Sequence, residues 1–240
     1  LFKCVEQAGL KVEDYVFSPL ASSEAVLTKR QKELGVMLLD LGGGTASFIV
    51  YEEGVPIHAG VVPIGGNHIT NDVAIGFRTH VDIAEQIKVA HGSCLPTELP
   101  KRENIRLAEY IPEETGSYSR KELAEIIEAR LKDIFELLHK ELKKVDRVQL
   151  LPAGIVIVGG SATIPGLVEL ARREMKLPVE IGRPRVLESG DDEFAPTLSP
   201  VLGLVQWAYS RSSRESYPWM SRVSGVGKSS LARWLQSLLP

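Results

Sequence analysis

The sequence predicts an α/β fold, because segments typical of strands alternate with segments typical of helices along the chain. Residues 36–41 and 154–158 are continuous apolar runs, as expected of strands buried on both faces of a sheet. Residues 119–144 carry apolar side chains at helical spacing. The sequence contains no repeat of solenoid length, so an α/β class is favoured over an all-α fold or a β-sandwich.

Strands are predicted where β-forming residues lie between turn signals. A turn ending at Gly54 precedes one strand, and the pair Gly65 and Gly66 ends it. In chain order the predicted strands are residues 12–17, 36–41, 47–51, 55–64, 105–111, 154–158 and 178–181.

Helices are predicted from their start and stop signals. Pro19 suits the first turn of a helix, Ser119 with Glu122 forms a capping box, and Gly9 and Gly92 end helices. The predicted helices are residues 2–8, 20–27, 67 or 70 to 77, 82–91, 119–144, 165–175 and 198–208.

The composition is that of a globular protein. The 240 residues are 44% hydrophobic and 25% charged, which is enough for one large domain or two small ones. No run approaches the ~20 apolar residues of a membrane span, and the start at Leu1 lacks the apolar core of a signal peptide. Because Leu1 is not Met, we expect sequence upstream of it. Cys4 and Cys94 lie at neither metal nor redox spacing, so a reduced, cytosolic compartment is expected.

Charge is unevenly distributed. From residue 211 onward the chain has a net charge of +4, which leaves −7 for the remainder out of a total of −3. An acidic body argues against nucleic-acid binding, and a basic tail indicates a partner of its own.

The first candidate site is a glycine turn at the end of the first buried strand. Asp40 is followed by Gly42, Gly43, Gly44 and Thr45. Glycines let backbone N–H groups converge on a phosphate, and Thr45 adds a hydroxyl. Because a carboxylate repels phosphate unless a cation lies between them, Asp40 is a candidate Mg²⁺ ligand through water. Taken alone, the turn is equally that of a tight β-hairpin.

The second candidate site follows the other buried strand. Gly159 and Gly160 come directly after residues 154–158, and a helix follows. Ligands of α/β sheets bind outside the carboxyl ends of strands, where glycines let the backbone approach closely. One such turn is weak evidence, whereas two of them about a hundred residues apart indicate a nucleotide site.

Together the two turns resemble the second phosphate motif and the adenosine motif of the actin, heat-shock chaperone and sugar-kinase superfamily. Residues 62–79, VPIGGNHITNDVAIGFRT, and residues 84–88, AEQIK, followed by His91 and Gly92, resemble the FtsA family of bacterial cell-division proteins. The resemblance covers residues 1–209. It implies an α/β, actin-like (ribonuclease H-like) fold of which only the second half is present, followed by a flexible C-terminal amphipathic helix.

The resemblance implies that the ligand is ATP with Mg²⁺. The residues it assigns to the β- and γ-phosphates and the metal are Asp40, Gly42, Gly43, Gly44 and Thr45. It implies Gly159 and Gly160 beside the adenosine, with Glu85 and Lys88 flanking ribose and adenine. From the residues alone, Glu85 and Lys88 would be an exposed helical ion pair of small energetic value.

The sequence also departs from the family. Ala46 and Ser47 stand where the family often has Thr-Asp, and Ser161 stands in place of a third glycine. The superfamily's first phosphate hairpin would lie upstream of residue 1. We therefore expect neither tight ATP binding nor hydrolysis by this chain alone, and at most a weak ATPase in the full-length protein.

The resemblance divides the chain into five parts. They are residues 1–35, a remnant of the first half; 36–92 with 154–209, the nucleotide-binding subdomain; 93–153, an inserted small subdomain; 210–227, a linker; and 228–240, a membrane-targeting helix. The insert would dock the C-terminal peptide of FtsZ, with Arg130 pairing with a carboxylate of that partner. The alternative is a solvated Arg130 balanced by Glu125, Glu128 and Asp133.

The tail predicts a short amphipathic helix beyond a flexible linker. Leu231, Trp234, Leu235 and Leu238 lie on one face, and Arg233 lies to the side. Such a helix suits an anionic membrane surface, and multiple copies along a polymer would strengthen its binding. The alternative is a helix packed against the body. Residues 225–230 imitate the end of a P-loop, but the required first glycine is absent, so that interpretation is rejected.

The predicted function is that of an adaptor. The chain would belong to a self-assembling, ATP-linked actin homologue that anchors FtsZ filaments to the inner face of the cytoplasmic membrane at the division site. One alternative is a relative of sugar or acetate kinases, which share both glycine motifs. The other is an actin homologue of pilus assembly, whose tail would bind a protein instead of lipid.

Overall fold

The computed structural model describes residues 2–100, 102–110, 116–187 and 195–212. The helices in these ranges are α1 (Phe2–Gln7), α2 (Ser18–Val26), α3 (Lys29–Leu34), α4 (Gly66–Phe77), α5 (Val81–His91), α6 (Arg120–Lys143), α7 (Leu167–Met175) and α8 (Ser199–Ser212). The strands are β1 (Val36–Leu41), β2 (Ala46–Glu52), β3 (Val55–Val62), β4 (Asn104–Arg106), β5 (Ser117–Ser119), β6 (Ile155–Val158) and β7 (Val179–Ile181). The predicted α/β class is confirmed.

A five-stranded mixed sheet forms the centre of the fold. Its strand order is β3-β2-β1-β6-β7, with β1, β2 and β3 antiparallel and β1, β6 and β7 parallel. Asp40 at the end of β1 lies opposite Val158, the last residue of β6. Because these two strands run in the same direction, the glycine turns that follow them leave the same edge of the sheet.

Helices cover both faces of the sheet. Alternate β1 residues Met37, Leu39 and Leu41 belong to a core shared with α4, α5, α6 and α7. Val36 and Leu38 belong to a second core, shared with α2 and α8. Side chains alternate along a strand, so Asp40 lies on the α2 side of the sheet.

The predicted insert, residues 93–153, packs onto the same core as the sheet. It contains the β4-β5 pair and α6, whose first turn is capped by Ser119, which accepts a hydrogen bond from the Glu122 backbone at 3.3 Å. The apolar face of α6 is fully buried and consists of Leu123, Ala124, Ile127, Leu131, Ile134, Phe135, Leu138 and Leu142. The division of the chain into subdomains stays a prediction.

One end of the insert is tied to the loop before α7. Cys94 is fully buried, and its thiol and backbone N–H both donate to the Pro165 carbonyl, at 3.1 and 3.0 Å. Burial raises the pKa of the Cys94 thiol to about 12.

Two predicted strands are corrected by the structure. Residues 12–17 form neither strand nor helix, and Tyr15 there is 71% exposed. A strand needs a hydrogen-bonded neighbour, and the described sheet ends at β3 on one side and β7 on the other. The strand predicted at 105–111 is only β4, after which Leu107–Glu109 forms a 3₁₀ turn.

One helix was missing from the prediction. The polar helix α3 begins with a capping box in which Thr28 and Gln31 bond each other's backbone N–H groups.

Within the described ranges, no helix combines the length and apolar character that crossing a membrane requires.

Candidate functional site

The first glycine turn, residues 42–45, is held against the start of α4. The Gly42 N–H donates to Thr45 O at 3.0 Å and closes the turn. The backbone N–H groups of Gly66 and Asn67 donate to the carbonyls of Gly42 and Gly43, at 2.9 and 2.7 Å. A Cβ at Gly65 would lie 2.5 Å from the Gly42 carbonyl oxygen, so glycine is required there for the two segments to meet.

The second glycine turn, Gly159 and Gly160, lies against the end of β1. Gly159 has a φ of +93°, and a Cβ there would be 2.6 Å from Asp40 Oδ1. Its N–H donates to Pro196 O at 3.1 Å. Gly159 is therefore packed against the end of β1, directly before the first turn.

No contact within the described part of the chain requires glycine at two positions of these turns. Among the residues that the structure describes, a Cβ at Gly44 would meet nothing within 4 Å, and a Cβ at Gly160 would meet only Thr197, at an ordinary 3.8 Å. Neither has the positive φ that favours glycine. Open space thus lies beside the backbone of both turns, where a side chain would otherwise project.

Asp40 is held by a residue from the start of α2. The Ser18 hydroxyl donates to Asp40 Oδ2 at 3.0 Å. Burial raises the pKa of the Asp40 carboxyl, and the hydrogen bond from Ser18 opposes this rise only in part. Sequence reasoning missed Ser18, because this contact joins residues 22 positions apart.

A cavity of about 490 Å³ opens beside the two glycine turns. Its lining includes Gly43, Gly160, Glu85 and Lys88, four of the predicted site residues, together with Ser161. The other five predicted residues, Asp40, Gly42, Gly44, Thr45 and Gly159, are not among the residues that line it. The structure therefore brings four of the nine predicted nucleotide residues to one cavity, and the role of all nine stays a prediction.

Glu85 and Lys88 of α5 form an ion pair at the cavity wall. Lys88 Nζ lies 2.7 Å from Glu85 Oε2 and 2.8 Å from Thr70 Oγ1 on α4. The Thr70 hydroxyl also contacts Glu85 Oε2. Partial burial raises the pKa of Glu85, but the hydrogen bonds from Lys88 and Thr70 together outweigh it, so the pKa lies below its ordinary value. Sequence reasoning missed Thr70.

Arg130 lies outside the cavity, where α6 crosses α4. Its Nε and one terminal nitrogen donate to the two carboxylate oxygens of Asp72, at 2.6 and 2.9 Å. Of the three acids predicted to balance Arg130, Asp133 is a partner at 3.2 Å, whereas Glu125 and Glu128 pair with other residues. Sequence reasoning missed Asp72, and the partner-binding role of Arg130 stays a prediction.

The predicted membrane residues Leu231, Arg233, Trp234, Leu235 and Leu238 lie outside the described residues, as does most of the predicted linker.

Solved structures with the same fold are actin-like proteins. MreB5 of Spiroplasma citri bound to ADP superposes with a TM-score of 0.68 at 15% identity, covering 88% of this chain and 64% of that one. The type IV pilus biogenesis complex of PilM and PilN gives 0.63 at 20%, covering 84% and 55%. The MamK double helical filament gives 0.59 at 17%, covering 80% and 58%. These similarities show that the chain has an actin-like fold.

The chain belongs to the FtsA family of cell-division proteins. The sequence model of the family, described as cell division protein FtsA, matches residues 37–203. The FtsA of Pseudomonas aeruginosa is 36% identical over 98% of this chain and 58% of its own length. The FtsA proteins of Escherichia coli K12 and Bacillus subtilis are 37% and 34% identical, over 86% and 87% of this chain. The chain spans about half the length of these relatives.

Proposed function

We propose that this chain is part of an ATP-binding, self-assembling actin homologue that tethers FtsZ filaments to the inner face of the cytoplasmic membrane at the division site. Membership of the FtsA family supports this role over that of a sugar or acetate kinase or a pilus-assembly protein. Self-assembly is supported by the fold, which the filament-forming MamK shares.

The observation that carries the nucleotide proposal is the open backbone at the two glycine turns, of which Gly43 and Gly160 line the cavity. Gly44 and Gly160 are glycines that no contact within the described residues requires. A phosphate chain or a flat ring needs backbone without side chains, because Cβ atoms block its approach. The cavity volume of about 490 Å³ is in the range that holds a small-molecule ligand. MreB5, which has this fold, is bound to ADP in its structure.

The magnesium proposal depends on Asp40. Mg²⁺ in proteins is commonly held by one or two carboxylates, with waters and substrate phosphates completing its coordination. Asp40 fits this role, because it lies against the second glycine turn and at the end of the strand leading to the first. Its raised pKa indicates a carboxylate that a cation would stabilise.

Titration of a fluorescent ATP analogue into the full-length protein tests nucleotide binding. We expect saturable binding that ATP displaces, and we expect Lys88→Ala to weaken it about tenfold or more, since hydrogen bonds to charged groups contribute ~1.5–3 kcal/mol. Lys121→Ala is the matched control, because Lys121 pairs with Glu125 on α6, away from the cavity. Absence of binding, or equal weakening by both variants, would contradict the proposal.

The FtsZ proposal assigns Arg130 to a carboxylate of the FtsZ C-terminal peptide. Such a carboxylate would compete with Asp72, which already accepts two hydrogen bonds from the guanidinium. We therefore expect Arg130→Ala to weaken peptide binding and Asp72→Asn to strengthen it, measured by fluorescence anisotropy. If Asp72→Asn and Arg130→Ala both leave the affinity unchanged, Arg130 is only a packing contact between α4 and α6.

The membrane proposal is tested by sedimentation with anionic vesicles. Trp234→Glu places a charge on the predicted apolar face, so it should abolish binding. Gln236→Glu adds the same charge on the opposite face of that predicted helix and should weaken binding much less. Equal effects of the two variants would show that only net charge matters and would contradict the amphipathic helix.

A further inference from the structure

The first turn of α4 determines which way the peptide groups of the first glycine turn face. The carbonyls of Gly42 and Gly43 accept hydrogen bonds from the backbone N–H groups of Gly66 and Asn67, at 2.9 and 2.7 Å. These peptides are trans, and in a planar trans peptide the carbonyl and the following N–H point in opposite directions. The N–H groups of Gly43 and Gly44 therefore face away from α4.

These two N–H groups have no acceptor within the described part of the chain. Gly43 lines the cavity, as do Gly66 and Asn67. Successive backbone N–H groups without side chains between them are the donors that a phosphate needs. The start of α4 thus orients the donors on which the proposed nucleotide site depends.

The side chain of His68 secures this start of α4. Its Nδ1 accepts a hydrogen bond from the Gly65 N–H at 3.1 Å, and the His68 N–H donates to the Gly65 carbonyl at 3.0 Å. The arrangement is a capping box in which histidine stands at the position usual for Glu or Gln. Gly65 is buried, so without the ring its N–H would lose its partner away from water, which is costly.

The hydrogen bond from Gly65 requires a neutral ring. Nδ1 accepts only when it carries no proton, and histidine side chains ordinarily titrate at a pH of about 6.5. A positive charge is also unfavourable at the N-terminus of a helix, where the dipole is positive. Among the residues that the structure describes, the His68 ring makes no other hydrogen bond or ion pair.

The charged groups around α4 are bonded to other residues. Three charged side chains of α5 and α6 form hydrogen bonds with α4, namely Glu85, Lys88 and Arg130. None of them bonds to His68. Asp72, the acid one turn further along α4, accepts from Arg130 with both carboxylate oxygens. No carboxylate of the described residues is therefore hydrogen-bonded to the ring in a way that would stabilise its charged form.

We propose that neutral His68 is a positioning residue, which holds the phosphate-binding N–H groups of the first glycine turn in place. This inference rests on the proposed nucleotide function. Protonation of the ring frees the Gly65 N–H, loosens the first turn of α4 and weakens the two hydrogen bonds to Gly42 and Gly43. The affinity for the phosphates of a nucleotide therefore falls in acid, whereas the affinity for a nucleoside changes little.

The test compares the affinities of the full-length protein for ATP and for adenosine by calorimetry, because their ratio isolates the contribution of the phosphates. We expect His68→Ala to reduce the preference for ATP by about fivefold or more, since a buried donor loses its partner. His68→Gln supplies the residue usual at this position of a capping box, so it should restore most of the preference. A merely structural role would lower both affinities equally and leave the ratio unchanged.

A pH profile separates the titration of His68 from that of the ligand. Phosphate groups also titrate at a pH of about 6, but they do so equally with the wild type and with His68→Gln. From about pH 8 to about pH 5 we expect the ATP preference of the wild type to fall about fivefold or more relative to that of His68→Gln. Parallel profiles of the two proteins would overturn the inference, and this comparison serves even if His68→Ala does not fold.

His80→Ala is the matched control. His80 is an exposed histidine directly before α5, and its side chain makes no capping hydrogen bond, so its loss should change neither the ratio nor the profile. A wild-type ratio in His68→Ala, or an equal loss in His80→Ala, overturns the inference while nucleotide binding stands. A wild type that binds neither ligand overturns the proposed function itself, and the inference with it.

Discussion

Two adjacent serines on α2 are both fully buried but differ in their hydrogen bonds. Ser23 Oγ bonds the Leu20 carbonyl and the Tyr51 hydroxyl, each at 2.7 Å, whereas Ser22 Oγ has no partner among the described residues. Ser22→Ala should therefore be neutral or raise the free energy of unfolding by up to about 1 kcal/mol, and Ser23→Ala should lower it by ~1–3 kcal/mol. Denaturant unfolding measures both, and equal effects would show that the contacts of Ser23 contribute nothing.

Asp40 carries a stability cost that depends on pH. Burial raises the pKa of Asp40 in the folded state, so the folded chain binds the carboxyl proton more tightly than the unfolded chain does. The free energy of unfolding therefore falls as the pH rises from the pKa of Asp40 in the unfolded chain through its higher pKa in the folded chain. Asp40→Asn, which cannot ionise, should be more stable than the wild type at pH 7. Its advantage should shrink as the pH is lowered toward 4. An advantage that stays constant with pH would have a cause other than ionisation.

At the scale of elements, α2 and α8 touch backbone to backbone. A Cβ at Gly203 would lie 1.9 Å from the Ala21 carbonyl oxygen. Gly203→Ala should therefore lower the free energy of unfolding by ~1–3 kcal/mol through overpacking, although alanine is the better helix former. Thermal unfolding measures this, with Gly44→Ala as the control, because a Cβ there meets no atom of the described residues within 4 Å. A stable Gly203→Ala would mean that the two helices separate easily.

Gly44→Ala has a second expected outcome. If the open space beside Gly44 receives phosphate, the added Cβ should weaken nucleotide binding while leaving the unfolding temperature unchanged. Loss of stability together with affinity would contradict this, because glycine would then be required by the fold and not by the ligand.

The sequence predicted the strands and helices whose buried faces produce a regular pattern of apolar residues. The strands β1 and β6 are apolar throughout because both of their faces are buried, and α6 shows its apolar stripe at helical spacing. The segment 12–17 also has strand-forming residues, but pairing depends on a neighbour that composition does not reveal. The helix α3 has no apolar stripe, and only the capping box at Thr28 could have identified it.

The residues of the candidate site also fall into two groups, those that the sequence predicted and those that it did not. Gly43, Glu85 and Gly160 were predicted from their motifs, because each motif is local in sequence. Ser18 and Thr70 act on residues 22 and 15–18 positions away, so only the packing of α2 and α4 against their neighbours brings them into the site.

At the scale of the whole molecule, the insert and the sheet share one core. Leu131 in the middle of α6 is fully buried within the cluster that includes Met37 and Leu39 of β1. Leu131→Ala should lower the free energy of unfolding by ~2–5 kcal/mol by leaving a cavity. Hydrogen exchange should show that amides of α6 and β1 lose protection by the same amount. Loss confined to α6 would instead establish residues 93–153 as an independently unfolding subdomain.

The two cysteines should differ in how fast they react with an alkylating reagent. Cys4 is exposed, whereas the thiol of Cys94 is buried, bonded to Pro165 and held protonated by its high pKa. Since the thiolate is the reactive form, an alkylating reagent modifies Cys4 at once and Cys94 only when the contact with the loop before α7 opens. Modification of Cys4 confirms that the reagent is active. The rate at which Cys94 is modified reports how often the contact with the loop before α7 opens. The natural sequence thus supplies both the internal standard and the probe.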